Sequence, residues 1–384
     1  MPAERTGTDP ASTVVLPRYG ERALSDVLPS VASAIGLEGY ANVLQLPPAS
    51  GYVVMLVDGL GWHLLADHAD EAPYLSSLMG LWEPLTVGVP ATTATSLTSL
   101  GTALAPGRHG VVGYTCRIPG TLALLNALKW DAEVDPLVWQ PHPTALELMA
   151  MQQVEVSVVN KSSFEGSGLT LCSQRGVPFR QADTSPERLA TIVDTMTARP
   201  CVTYAYESRL DHTGHEHGAD SDQWRRRLAA VDDDLLRLRA ALPPDVAMLV
   251  TGDHGMIDIP SAGRFDVDDE PDLLREVPLF GGEARLRHLY CRAGATDDVA
   301  ARWRERLGDD ALVVTRDAAE AAGWFGDVEP QVRPRIGDVL VAGLGEFAVF
   351  SSRRFSIEQR MTGFHGSLSA AEMLVPLLVD SPRR

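Results

Sequence analysis

No stretch of this sequence reaches the roughly 18 consecutive apolar residues that a membrane-spanning helix needs, so a membrane-embedded chain is not expected. The opening, MPAERTGTDPASTVVLPRYG, lacks an apolar core of signal-peptide type. It reads as a flexible lead over residues 1–20 of a cytoplasmic protein. Cysteine is sparse, and Cys116, Cys172, Cys201 and Cys291 stand far apart. Without a CxxC pair, a cysteine-based zinc site is not expected. Positive charge is also short: 33 Lys and Arg against 51 Asp and Glu leave −18. Such a surface repels long polyanions and argues against binding a DNA or RNA duplex. A small anionic substrate stays open, because bound divalent cations reverse the field locally. Repeats and low-complexity tracts are missing, and the sequence is silent on oligomeric state.

What is present points to a layered α/β fold. At 384 residues the chain can bury a large core and carry a smaller second unit. Five apolar, β-branched runs read as buried strands: 52–57, 154–159, 201–206, 246–251 and 373–379. Near-continuous runs of this length suit a sheet covered on both faces. Between them lie helical patterns, the clearest over 222–242. There Trp224, Leu228, Val231, Leu235, Leu238 and Leu242 form one apolar stripe. Alternation of this kind predicts a mostly parallel central sheet flanked by helices. The segment 260–345 is richer in Asp, Glu, Gly, Pro and Arg, with shorter apolar runs. It reads as an inserted cap between two parts of a core, 21–259 and 346–384.

Ligands of open α/β sheets bind beyond the carboxyl ends of the strands. Asp58 follows the first run, Asp211 the run 201–206, and Asp253 with His254 the run 246–251. One such aspartate is commonly a helix N-cap. Three strands delivering carboxylates to one end suggest a divalent cation, which carboxylate oxygen and imidazole nitrogen both suit. In RLDHTGHEHG, Asp211 and His215 are four residues apart, a spacing that a loop or a helical turn can bring to one ion. His365, in GFHG, would complete a three-ligand set with an open position. His212 and His217 are read as solvated neighbours rather than ligands. The run 89–114 holds five Thr and two Ser. Read alone it is a capped helix start. The same geometry sets a hydroxyl beside free backbone N–H groups that favour a phosphate oxygen. A metal-bound hydroxyl there becomes a nucleophile.

The motifs VVMLVDGLG, PATTATS with LAPGRHG, LDHTGH, VTGDHGM and GFHG, in this order, resemble the alkaline phosphatase superfamily. Within it they resemble the type I phosphodiesterase and nucleotide pyrophosphatase family. The resemblance runs from Val53 to Val379. It implies Thr93 as nucleophile and two divalent metal ions, zinc or manganese. Asp58, Thr93, Asp253 and His254 would hold one ion, and Asp211, His215 and His365 the other. Two departures stand out. Ala94, Thr95, Ser96 and Leu97 replace the family's Phe-Pro-Asn-His, and Tyr114 stands where a phosphate-contacting Asn is expected. A tyrosine hydroxyl can also donate to phosphate. The length and motif variants resemble an actinobacterial phosphodiesterase that degrades cyclic di-AMP. The expected substrate is therefore cyclic di-AMP or a related nucleotide phosphodiester. A nucleotide pyrophosphatase, a phosphonate hydrolase and a non-catalytic nucleotide sensor are the alternatives.

Overall fold

The computed structural model describes residues 9, 11–130 and 133–382. Its centre is a sheet of six strands: β1 (Gly51–Val57), β2 (Glu155–Asn160), β3 (Phe179–Gln181), β4 (Cys201–Glu207), β5 (Val246–Thr251) and β6 (Leu377–Asp380). The spatial order is β6-β5-β1-β4-β2-β3. All neighbours are parallel except β6, which runs antiparallel to β5. Alternation along β1 explains its unbroken apolar run. Tyr52, Val54 and Leu56 enter one core, while Val53, Met55 and Val57 enter the core on the opposite face. Both faces are covered, so neither set of side chains meets water.

Three helices matter for the site: α1 (Thr93–Thr102), α2 (Arg209–His217) and α3 (Asp222–Ala241). The stripe expected on α3 lies in the core that holds Val53 and Met55. Every residue of α1 is buried, although six of the ten carry hydroxyls. Thr98 and Thr102 satisfy theirs on the carbonyls four residues back, at 2.7 and 2.6 Å, and Thr95 reaches the Val111 carbonyl at 3.1 Å. Its buried polar content therefore carries a smaller desolvation cost than its composition suggests.

The last apolar run, expected as one strand over 373–379, is two. Leu374–Val375 pairs with Leu85–Thr86, and β6 begins after Pro376. Proline offers no N–H to continue the ladder, so the chain changes partner there. Within 260–345 a second sheet of four antiparallel strands spans Leu279–Glu283, Leu286–Tyr290, Val339–Gly343 and Ala311–Thr315, in that spatial order. It has its own core around Trp303, Leu289 and Val341. Trp324, Phe325 and Ile336 from the same segment lie in the main core. Arg264–Asp266 pairs with Ala348–Phe350, so a short ladder joins the start of the segment to the chain just beyond its end.

Of the lead expected over 1–20, residues 1–8 and 10 lie outside the described residues. From Thr13 onward the lead is tied down rather than loose. Val15 N donates to the Leu368 carbonyl at 2.8 Å and Ala370 N to the Thr13 carbonyl at 2.7 Å. The Tyr19 hydroxyl reaches the Trp324 carbonyl at 2.9 Å. The first two bonds hold the lead against the segment that carries His365, and the third holds it against the segment 260–345.

Candidate metal centre

Register brings the carboxyl ends of three parallel strands side by side. Val57 pairs with Glu207, and Leu56 with Thr251. Asp58, the start of α2, and Asp253 with His254 therefore emerge at one edge. Gly59 has φ +75°, and a Cβ there would stand 3.1 Å from the Asp211 Cα. Only glycine lets the backbone turn left-handed so close to α2. Its N–H donates to Asp253 Oδ1 at 3.0 Å.

Two triads result. In one, Asp58, Asp253 and His254 offer ligand atoms within 4.8 Å of one another; in the other, Asp211, His215 and His365 do the same. His254 Nε2 lies 3.3 Å from Asp58 Oδ1 and 3.6 Å from Asp253 Oδ2. His215 Nε2 lies 3.4 Å from Asp211 Oδ1 and 3.2 Å from His365 Nε2. Thr93, the first residue of α1, lies beside the first triad, with Oγ1 3.2 Å from His254 Nε2. All seven residues named from sequence thus converge. Tyr114 faces a cleft lobe that Thr93 also lines, and its backbone N–H donates to Glu283 Oε2 at 2.9 Å. His212 is exposed on α2 at the cleft, and His217 is exposed beside Glu216.

The donor set fits a cation on two counts. The Nδ1 atoms of His215, His254 and His365 lie 2.8, 2.9 and 2.9 Å from the carbonyls of Gly363, Gly255 and Ala91. A carbonyl only accepts, so each Nδ1 carries the hydrogen and each inward Nε2 presents its lone pair. One oxygen of each aspartate, Asp58 Oδ1, Asp211 Oδ1 and Asp253 Oδ2, is buried without a hydrogen-bond partner. These are the atoms that face the imidazoles. A buried, unpaired carboxylate oxygen is costly unless a cation compensates it.

Charge effects agree. Burial, with Asp58 nearby, pushes Asp211 and Asp253 well above the usual carboxylate range. Burial works against a charge on His254, yet Asp253 and Asp58 raise it to about 10. Burial draws His215 down to about 4. The first triad therefore attracts positive charge, and a proton and a metal ion compete for the His254 Nε2 lone pair.

Several contributors were not read from sequence. The Tyr206 hydroxyl donates to Asp58 Oδ2. Glu372 accepts from Ser367 N at 3.0 Å and is gripped by Arg285 at 3.0 and 2.7 Å, bracing the loop after His365. Glu283 brings a carboxyl from the second sheet, which burial raises to about 8. Tyr206 lies in a strand whose apolar run was visible, but its partner lies 148 positions away. No local pattern signals such a pairing.

The triads lie between two cleft lobes of about 490 and 650 Å³, which share Thr93, Leu128, Asp211 and His212 as walls. Among the described residues, no helix is long and apolar enough to cross a membrane.

No curated protein sequence matches the chain. Among solved structures, murine ectonucleotide pyrophosphatase / phosphodiesterase 5 is similar at 17% identity and a TM-score of 0.66, over 86% of this chain and 88% of that one. A form of that protein with threonine replaced by alanine, described as inactive, is in complex with AMP. Phosphonoacetate hydrolase from Sinorhizobium meliloti 1021, in complex with phosphonoformate, is similar at 17% identity and a TM-score of 0.66, over 87% of this chain and 91% of that one. At such identities the likeness shows the fold, an alkaline-phosphatase-like α/β layer. The family model for type I phosphodiesterase / nucleotide pyrophosphatase matches residues 52–368, and the chain belongs to that family.

Proposed function

We propose that the chain is a two-metal phosphodiesterase acting on a nucleotide phosphodiester, cyclic di-AMP or a related dinucleotide first, through a phospho-threonine intermediate at Thr93. The observation that carries this reading is Thr93 itself, beside His254 and on the wall common to both lobes. A phosphodiester has two substituents on one phosphorus. A cleft whose two lobes meet at the nucleophile accommodates both.

Asp58, Thr93, Asp253 and His254 would hold one divalent ion, and Asp211, His215 and His365 the other. Oxygen and nitrogen donors without thiolate suit zinc or manganese. When bound, such ions lower the pKa of a coordinated hydroxyl and neutralise charge on phosphoryl oxygens. The remaining work falls to the chain. Backbone carbonyls lock the three imidazoles, and Tyr206 orients Asp58. Thr93 opens α1, where unpaired N–H groups of the first turn favour a phosphoryl oxygen. Its hydroxyl gives up its proton to solvent as the Oγ–phosphorus bond forms and the bond to the leaving oxygen breaks, and the leaving oxygen takes a proton from solvent. Water then breaks the Oγ–phosphorus bond, and Thr93 regains its proton. The inactive threonine-to-alanine relative, in complex with AMP, supports both the nucleophile and a nucleotide ligand.

The second sheet is read as a cap over 260–345 that contributes Glu283 to one lobe. The likeness to phosphonoacetate hydrolase keeps a phosphonate in view; two lobes of this size favour the larger diester. Protein loaded with zinc or with manganese, assayed on bis(p-nitrophenyl) phosphate and on cyclic and linear dinucleotides, tests the reading. Turnover of both substrate types is expected. Nucleotide binding without turnover under either metal would identify a sensor instead.

A further inference from the structure

The chain contains only two lysines, Lys129 and Lys161; its other basic residues, of 33 Lys and Arg in all, are arginines. Both lysines line the same lobe of the cleft, the one of about 650 Å³ that reaches Thr93. Lys161 follows β2 directly. Its Nζ donates to Ser208 Oγ at 2.7 Å, just ahead of α2, and stands 5.9 Å from the Phe164 ring centroid. Neither lysine has a carboxylate within ion-pairing distance among the described residues, in a chain with 51 acidic side chains. Arg209, on the same wall, is already committed to Glu207 at 2.6 Å. Gln174 also lines this lobe; it is 5% exposed, and its side-chain oxygen has no partner. The opposite lobe holds no lysine. Glu216, Glu283 and Glu358 line it with Arg360; Glu283 is buried and Glu358 is paired with Arg287.

Resting on the phosphodiesterase reading above, we infer that the lysine lobe binds a second phosphate of the substrate, distinct from the one attacked by Thr93. An ammonium on a flexible stem binds phosphate as a point charge, and hydrogen bonds to ionised groups are the strong ones. The opposite lobe offers a second anion only Arg360 among its lining side chains, whereas the lysine lobe offers two ammonium groups, so the further phosphate is favoured on the lysine side. The substrate class narrows to a nucleotide diester with a further phosphate on one arm, such as a cyclic dinucleotide or a 5′-phosphorylated linear one. The two carboxylates in the lysine lobe, Asp58 and Asp211, belong to the triads and do not neutralise the lysines by contact.

The test is calorimetric titration of zinc-loaded Thr93→Ala protein with a linear dinucleotide, with and without a 5′-phosphate. The phosphate should tighten binding roughly 10–100-fold, the range of a charge-assisted contact or two. In Lys129→Met/Lys161→Met on the same background that advantage should vanish, and Lys161→Arg alone should keep most of it. An advantage that survives both Met substitutions, no advantage with both lysines present, or no binding of either dinucleotide would overturn the inference. Hydrolysis by protein carrying Thr93 reports separately. Lysine-dependent binding without hydrolysis would sink the phosphodiesterase reading and leave the phosphate site standing.

Discussion

The imidazoles of His254 and His365 are stacked, with ring centroids 3.5 Å apart and planes 10° apart. One ring belongs to each triad, so the stack fixes the two ligand sets against each other. Elemental analysis of protein never exposed to chelator should therefore find two divalent ions per chain. Asp211→Asn should lower the count toward one, because it weakens one triad only. One ion or none in the unaltered protein would contradict the two-triad reading.

Asp253→Asn should fold and lose nearly all turnover. The substituted side chain keeps an oxygen for the Gly59 N–H, 3.0 Å away in the parent. Its amide nitrogen would replace Asp253 Oδ2, the unpartnered atom facing His254. A neutral amide is a poor ligand for a hard cation. The loss should exceed the roughly 10–100-fold typical of an outer hydrogen-bonding partner. Steady-state rates close to the parent's would remove Asp253 from the site.

Tyr206→Phe tests that outer partner. Its hydroxyl orients Asp58 by donating to Oδ2. Removing it should weaken metal binding roughly 10–100-fold while the buried ring keeps its packing. Chelator competition measures this. Unchanged affinity would reduce the hydroxyl to a bystander.

Glu207 makes the turn into α2 sensitive to acid. Burial alone would raise its carboxyl; the hydrogen bonds from Arg209 and the charge of Arg188 outweigh burial and lower it to about 2. Burial draws Arg188 below the ordinary guanidinium range without removing its charge in acid. The folded chain thus holds Glu207 ionised where the unfolded chain, near pH 4.5, takes up a proton. The contribution is complete above that pH and is lost as pH falls toward about 2. Its size is of the order of 3 kcal/mol. Urea midpoints should fall over this range, and less steeply in Glu207→Gln. Equal slopes in both proteins would show that other carboxylates govern acid unfolding.

The strands were legible because a doubly covered sheet needs unbroken apolar runs, and the ligands because they follow those runs directly. Asp58, Asp253 and His254 could be named from β1 and β5 alone. Thr93 needed the family's motif order, since a Thr-rich turn says little by itself, and His365 could be named only as a partner for Asp211 and His215. Long-range pairings stayed hidden: the carbonyls of Gly363 and Ala91 behind two histidines, Tyr206 behind Asp58, and Arg285 bracing Glu372. Each joins segments far apart in the chain, and no local periodicity encodes them. The break at Pro376 could have been read, because proline rarely sits within a paired strand.

The central claim is that the Thr93 oxygen attacks phosphorus. A chiral phosphorothioate diester hydrolysed in isotopically labelled water tests it most directly. Two in-line displacements through a threonine ester predict net retention of configuration at phosphorus. Inversion would mean a single attack by water, with Thr93 reduced to a ligand or a helix start, and would contradict the account.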